Sequence, residues 1–84
     1  MMKKLFQTKP YENVEDGEFY AELVHVFEYE NEDEAEDFQI LSHNEQLSMC
    51  GFKEERTPSK GTVHRYLIDA DDVYVVIRET IMTW

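Results

Sequence analysis

The chain has 84 residues, with 19 Asp and Glu against eight Lys and Arg, for a formal net charge of −11. A hydrophobic share of 42%, including five Phe, five Tyr and one Trp, suffices for one modest core, so residues 1–84 read as a single domain near the small end of what folds unaided and not as a disordered chain. So acidic a surface is repelled by anionic lipid and by bare nucleic acid, which makes direct DNA or RNA binding and membrane attachment the functions that composition most nearly excludes.

Met1-Met2-Lys3-Lys4-Leu5-Phe6 opens like a signal peptide, but the polar Gln7-Thr8-Lys9-Pro10 interrupts it before an apolar stretch develops, so no secretion signal is expected. No apolar run approaches the ~18 residues that cross a membrane. Residues 1–17 read as an extended arm or short first strand followed by a loop, ending at the Asp16-Gly17 turn signal, and residues 18–84 as the core. From Phe19 to Tyr29 the chain alternates. Phe19, Ala21, Leu23, His25, Phe27 and Tyr29 share one face, and Tyr20, Glu22, Val24, Val26 and Glu28 the other, which is strand periodicity; a helix through Tyr20, Leu23, Val24 and Phe27 also fits.

Asn31 followed by Glu34 has the spacing of a helix-starting capping box, Glu32, Asp33 and Glu34 place negative charge at the positive end of the dipole, and Gly51 suits a helix C-terminus. These signals predict a helix over about residues 32–50. Its apolar pattern is split, with Ala35, Phe38, Leu41 and Met49 on one side and Ile40, Leu47 and Cys50 on another, and Ser42 with Glu45 offers a second capping box, which leaves room for a break or a kink near Ser42-His43-Asn44. Beyond Gly51 the expected order is a short strand Phe52–Arg56, a loop Thr57–Gly61, a strand Thr62–Ile68, a tight connection Asp69–Asp72 and a central strand Val73–Ile81. The predicted fold is α+β in the order β-α-β-β-β, a small antiparallel sheet of three or four strands with one helix packed on one face.

The charge is segregated. Thirteen carboxylates and no Lys or Arg lie between Pro10 and Phe52, whereas the rest of the chain carries eight cations against six acids. Segregation of this kind repels itself and is retained either for solubility or because a cationic partner docks there. On a helix, residues three or four apart are neighbours, so Glu30, Glu34 and Asp37, or Asp33, Glu36 and Asp37, form regularly spaced negative rows that a Lys- and Arg-rich nucleic-acid-binding groove could accept in place of phosphates. A solvated helix face is the plainer interpretation, but a merely solubilising surface would normally intersperse lysines.

Other chemistry is weakly signalled. Asp69-Ala70-Asp71-Asp72 and Asn31-Glu32-Asp33-Glu34 offer oxygen ligands but lack the sixth-position glycine and distal glutamate of a calcium loop. Cys50 is the only cysteine, which precludes an intramolecular disulfide and a multi-cysteine zinc site and makes a cytoplasmic setting the simpler expectation, the host cytoplasm if the chain is phage-encoded. At the C-terminal end of an acidic helix its thiol pKa should be raised, and no two of His25, His43 and His64 have helical i, i+4 spacing, so neither a nucleophile nor a metal site is expected, nor a cofactor. Tyr11, Tyr20, Tyr29, Tyr66, Tyr74 and Trp84 cannot all be buried in so small a core. Tyrosine and tryptophan beside carboxylates suit a protein-binding surface, and covering a sheet face suits them equally.

In size, charge and lack of a catalytic signature the chain resembles the small acidic inhibitors that phages and mobile elements encode: DNA mimics, anti-CRISPR proteins, glycosylase inhibitors and nuclease-immunity proteins. The resemblance lies in composition and transfers no site residues. The function expected is a non-enzymatic inhibitor that occupies a basic, nucleic-acid-binding surface of a target protein, with Glu28, Glu30, Glu32, Asp33, Glu34, Glu36, Asp37 and Tyr29 as the contact residues. The alternative is a structural or regulatory interaction module, a homodimer through its apolar sheet face, whose charge serves solubility only.

Overall fold

A computed structural model describes residues 2–52 and 61–84. Five strands and two helices follow in the order β1 (Lys3–Gln7), β2 (Tyr11–Glu15), β3 (Glu18–Glu28), α1 (Glu32–Gln39), α2 (His43–Met49), β4 (Gly61–Ala70) and β5 (Tyr74–Thr83). The α+β class is as the sequence reads, but the expected β-α-β-β-β order with a single helix is replaced by β-β-β-α-α-β-β. The predicted strand at 52–56 falls on residues 53–56, outside the described set; Phe52 itself is in no strand.

The segment expected as an arm or short strand plus loop is paired along most of its length. β1 and β2 both run antiparallel to β3, Lys3 opposite Glu28 and Glu15 opposite Glu18, and form one interrupted edge strand. Pro10, which has no N–H to donate, lies in the interruption. Thr8 carries the ladder there, its N–H donating to the Val24 carbonyl at 2.8 Å and its Oγ1 accepting from the Val24 N–H at 2.8 Å. Asp16 (φ 49°) and Gly17 (φ 81°) close the β2–β3 hairpin, and positive φ at both central residues is the type I′ geometry that matches strand twist. Gly17→Val should therefore cost about 1–2 kcal/mol, since a β-branched residue is forced into the left-handed region. Urea denaturation measures it, and a loss under a few tenths of a kcal/mol would mean the turn relaxes to another type.

All pairings are antiparallel, and the sheet order is β1-β3-β5-β4 with β2 extending the β1 edge. The β-prone Val73–Ile77 run lies in or beside central β5, as its composition suggests. Register makes two faces. Ala21, Leu23, His25 and Phe27 of β3 stand beside Ile81, Glu79, Ile77 and Val75 of β5 on the helix-covered face, and Val63, Arg65 and Leu67 of β4 continue three of these rows. The core lies between this face and the helices: Phe27, Tyr29, Ala35, Phe38, Val75 and Ile77, flanked by Leu47, Met49, Cys50, Phe52 and Leu67.

The predicted helix over 32–50 is two helices. Ser42 caps α2 with a reciprocal capping box to Glu45, so the second start signal prevails over continuity. Gln46 donates from Nε2 to the Phe38 carbonyl at 2.9 Å, satisfying the end of α1. The break resolves the split apolar pattern: α2 turns Leu47, Met49 and Cys50 onto the same core as Phe38, while Ile40 at the junction is left 83% exposed. Gly51 (φ 90°) ends α2, with Phe52 N–H on the Leu47 carbonyl and Gly51 N–H on that of Ser48, a Schellman motif. No helix among the described residues is long and apolar enough to cross a membrane.

Candidate functional site

The acidic segment is fixed by its own first turn. Asn31 accepts the Glu34 N–H on its side chain at 2.9 Å, and Glu34 accepts the Glu30 N–H at 3.0 Å, one residue before the N-cap and not on the N-cap as a standard capping box would have it. Glu34 is thereby spent on the helix start and is half-buried. Ala35 and Phe38 define the inward face of α1. At about 100° per residue, Glu32 with Glu36, and Asp33 with Asp37, form two i, i+4 rows on the outward half. All four are exposed, and among the described residues none of the four is ion-paired.

Of the sequence-predicted contact residues, α1 therefore brings together Glu32, Asp33, Glu36 and Asp37. The expected Asp33–Glu36–Asp37 row forms; in the Glu30–Glu34–Asp37 row, Glu34 is turned toward the cap and Glu30. Glu28 lies on the opposite sheet face, opposite Lys3 and Tyr74 in the ladder, yet reaches the rim of a groove beside α1. Tyr29 is buried. Its ring meets Phe38 edge-on at 5.6 Å, and its hydroxyl accepts from Gln39 Nε2 at 3.4 Å; burial raises its pKa.

The groove, about 550 Å³, runs between α1 and the β4–β5 hairpin. Tyr29, Ala35 and Val73 give it an apolar floor, and Glu28, Glu32, Glu36 and Asp72 give it four carboxylates. Asp72 and Val73 were not singled out as contact residues by sequence reasoning, because they come from a hairpin remote in the chain. The neighbouring Asp71 is structural: its Oδ1 accepts from the Val73 and Tyr74 N–H groups at 2.7 and 2.6 Å, which holds its carboxyl below the usual range. An arrangement of apolar floor and carboxylate walls accepts a long cationic side chain, the stem on the floor and the charge at the rim. No cluster of His, Cys, Asp or Glu among the described residues is arranged to hold a metal ion.

A second polar cluster lies inside. His25 Nε2 is 3.3 Å from Glu79 Oε1, and Glu79 Oε2 accepts from Arg65 Nε at 2.6 Å. Phe52 closes over both ends, its ring 5.0 Å from the imidazole and 4.9 Å from the guanidinium carbon. Among the described residues His25 Nδ1 has no hydrogen-bond partner. Burial lowers the His25 pKa most, Glu79 opposing it while Lys4 and Arg65 assist. Cys50, at the edge of the same region, has its thiol pushed up to about 12, by burial first and the Glu34 charge second, so it is a protonated packing residue at neutral pH. His43 Nε2 lies 3.3 Å from the Arg65 carbonyl, and His64 stacks on Tyr66 on the outer sheet face. This cluster was also missed in the sequence. Its one signal is Glu79 at an inward position of the alternation Val75, Ile77, Glu79, Ile81.

No family model matches the chain, and no curated protein or solved structure shows significant similarity to it.

Proposed function

We propose that the protein is a non-enzymatic inhibitor that docks α1 and the adjoining groove onto a cationic, nucleic-acid-binding surface of a target protein. The observation that carries this reading is the set Glu32, Asp33, Glu36 and Asp37, exposed on one half of a single helix and without ion pairs among the described residues. Unpaired carboxylates so close repel one another, and a cationic partner removes that repulsion on binding. Eight residues of helix span about 12 Å, the rise of roughly three or four nucleotides along one strand. The patch thus stands in for a short run of phosphates and not for a long duplex. The long-range field steers encounter, and the Tyr29, Ala35 and Val73 floor supplies apolar contact for a lysine or arginine stem.

The test uses basic nucleic-acid-binding proteins, nucleases and nucleoid proteins among them, each loaded with labelled duplex DNA. The wild-type protein should displace DNA from its target at low salt and lose this ability as salt rises. The combined variant Glu32→Gln, Asp33→Asn, Glu36→Gln, Asp37→Asn should bind that target weaker by about a hundredfold or more. Undiminished binding by this variant would overturn the reading. It would favour the alternative of an interaction module whose charge serves solubility only, a reading supported by the uncovered sheet face.

A further inference from the structure

We infer that the face of the sheet turned away from the helices is the interface of a homodimer, formed with a second copy of this chain packed sheet to sheet. Both helices lie on one side, and among the described residues nothing covers the other. An exposed antiparallel face normally reads polar, and this one includes Glu22, Arg78 and Thr80, yet it carries Phe6, Val26 and Val76 in a single cross-strand row that ends on Asp69, with Tyr74 and Tyr66 in the rows beside it and Met82 toward the far end. Phe6, Tyr66, Tyr74 and Met82 are all exposed, while Val26 and Val76 are half-buried between neighbouring side chains.

Charge bears on how a copy can approach. On this face Arg78 pairs with Glu22 at 3.1 Å and Lys3 stands in register with Glu28, with Asp69, Glu15 and Glu18 as further acids, whereas the outward half of α1 carries Glu32, Asp33, Glu36 and Asp37 and no cation. A chain of net charge −11 meets a copy of itself with less repulsion along this face than along α1, and this packing keeps the two acidic helices on the outside, separated by both sheets. A two-fold axis parallel to the strands lays Val26 over the partner's Val76 and the Lys3 end of β1 toward the Asp69 end of β4. Area agrees. Four strands abreast, ten residues long in β4 and β5, present roughly 19 by 34 Å at usual spacings. Two copies would cover roughly 1,300 Å², within the range of stable interfaces.

The dimer goes beyond the cation-docking proposal, and the two separate by salt. Sedimentation equilibrium from micromolar to millimolar protein should give a dimer whose dissociation constant falls as salt is raised, because screening relieves repulsion between copies, whereas docking to a cationic target weakens. Val26→Lys makes the chain less negative and so eases general repulsion. It should nonetheless weaken dimerisation by about a hundredfold, since its ammonium is buried at the centre of the interface. Tyr66→Glu, at an exposed position that the fold does not need, should also produce monomers with an unchanged circular dichroism spectrum. The four-fold α1 neutralisation should leave the dimer intact or tighten it. A monomeric mass throughout the concentration range, or a dimer that survives both sheet-face substitutions, overturns the inference whatever the outcome of the DNA-displacement test.

Discussion

Phe38→Ala is expected to remove about 3–5 kcal/mol of stability, a large part of the roughly 4–13 kcal/mol that a chain of this length holds. Phe38 is wholly inaccessible to solvent, and Ala35 is the only other α1 residue that is buried. The attachment of the acidic helix to the sheet thus depends on one aromatic ring, placed against Tyr29 and among Phe27, Val75 and Ile77. Alanine leaves a cavity that an eight-residue helix cannot collapse to fill without rotating its acidic face, and a helix that short does not persist unsupported. Urea denaturation followed by circular dichroism measures the loss. Phe38→Leu, which keeps most of the volume, should cost less than half as much. If alanine cost below about 1 kcal/mol, something other than this ring would be holding α1, and the site's geometry would need another explanation.

Elements whose signal is local were legible in the sequence. The alternation from Phe19 to Tyr29 placed Ala21, Leu23, His25, Phe27 and Tyr29 on the buried face, where they lie, because eleven residues of period two leave little freedom. Asp16-Gly17, Asn31, Ser42 with Glu45, and Gly51 each form a turn or cap from hydrogen bonds within a few residues, and such chemistry does not depend on the rest of the chain. The edge strands β1 and β2 gave no comparable signal, since all ten of their residues are exposed and no burial period is imposed on them. Whether the helix continues across 40–42 was left open by two competing local signals, and the Ser42–Glu45 capping box decides it, bringing Phe38 and Leu47 onto one core. The acidic helix was legible as a charge row, but the groove was not, because Asp72 and Val73 reach it through the pairing of β4 with β5 and of β5 with β3.

Arg65→Met should cost about 3–5 kcal/mol at neutral pH, since it strips the cation from a carboxylate that is buried with it. Glu79 would then retain only the neutral His25 imidazole as a side-chain partner among the described residues. That change also shifts the pH response. In the wild-type protein the His25 pKa is lowered below its ordinary 6.5, by burial first and with Lys4 and Arg65 assisting, and a proton on Nδ1 would have no acceptor among the described residues. The unfolded chain therefore binds this proton more readily. The stabilisation from a neutral His25 is complete above pH 6.5 and declines as pH falls toward the folded-state value, by at most about 1.4 kcal/mol per pH unit. Without Arg65, the Glu79 charge is left to favour imidazolium, so the His25 pKa should rise relative to the wild-type protein and the destabilisation should shrink on acidification. Urea denaturation between pH 5 and 8, with imidazole resonances followed by NMR, tests both halves. A His25 titration unmoved by the substitution would show that burial alone sets its protonation and that the Arg65–Glu79 pair is electrostatically separate from it. A shift upward would establish the three side chains as one coupled buried unit, holding β3, β4 and β5 in the register from which α1 and its carboxylates project.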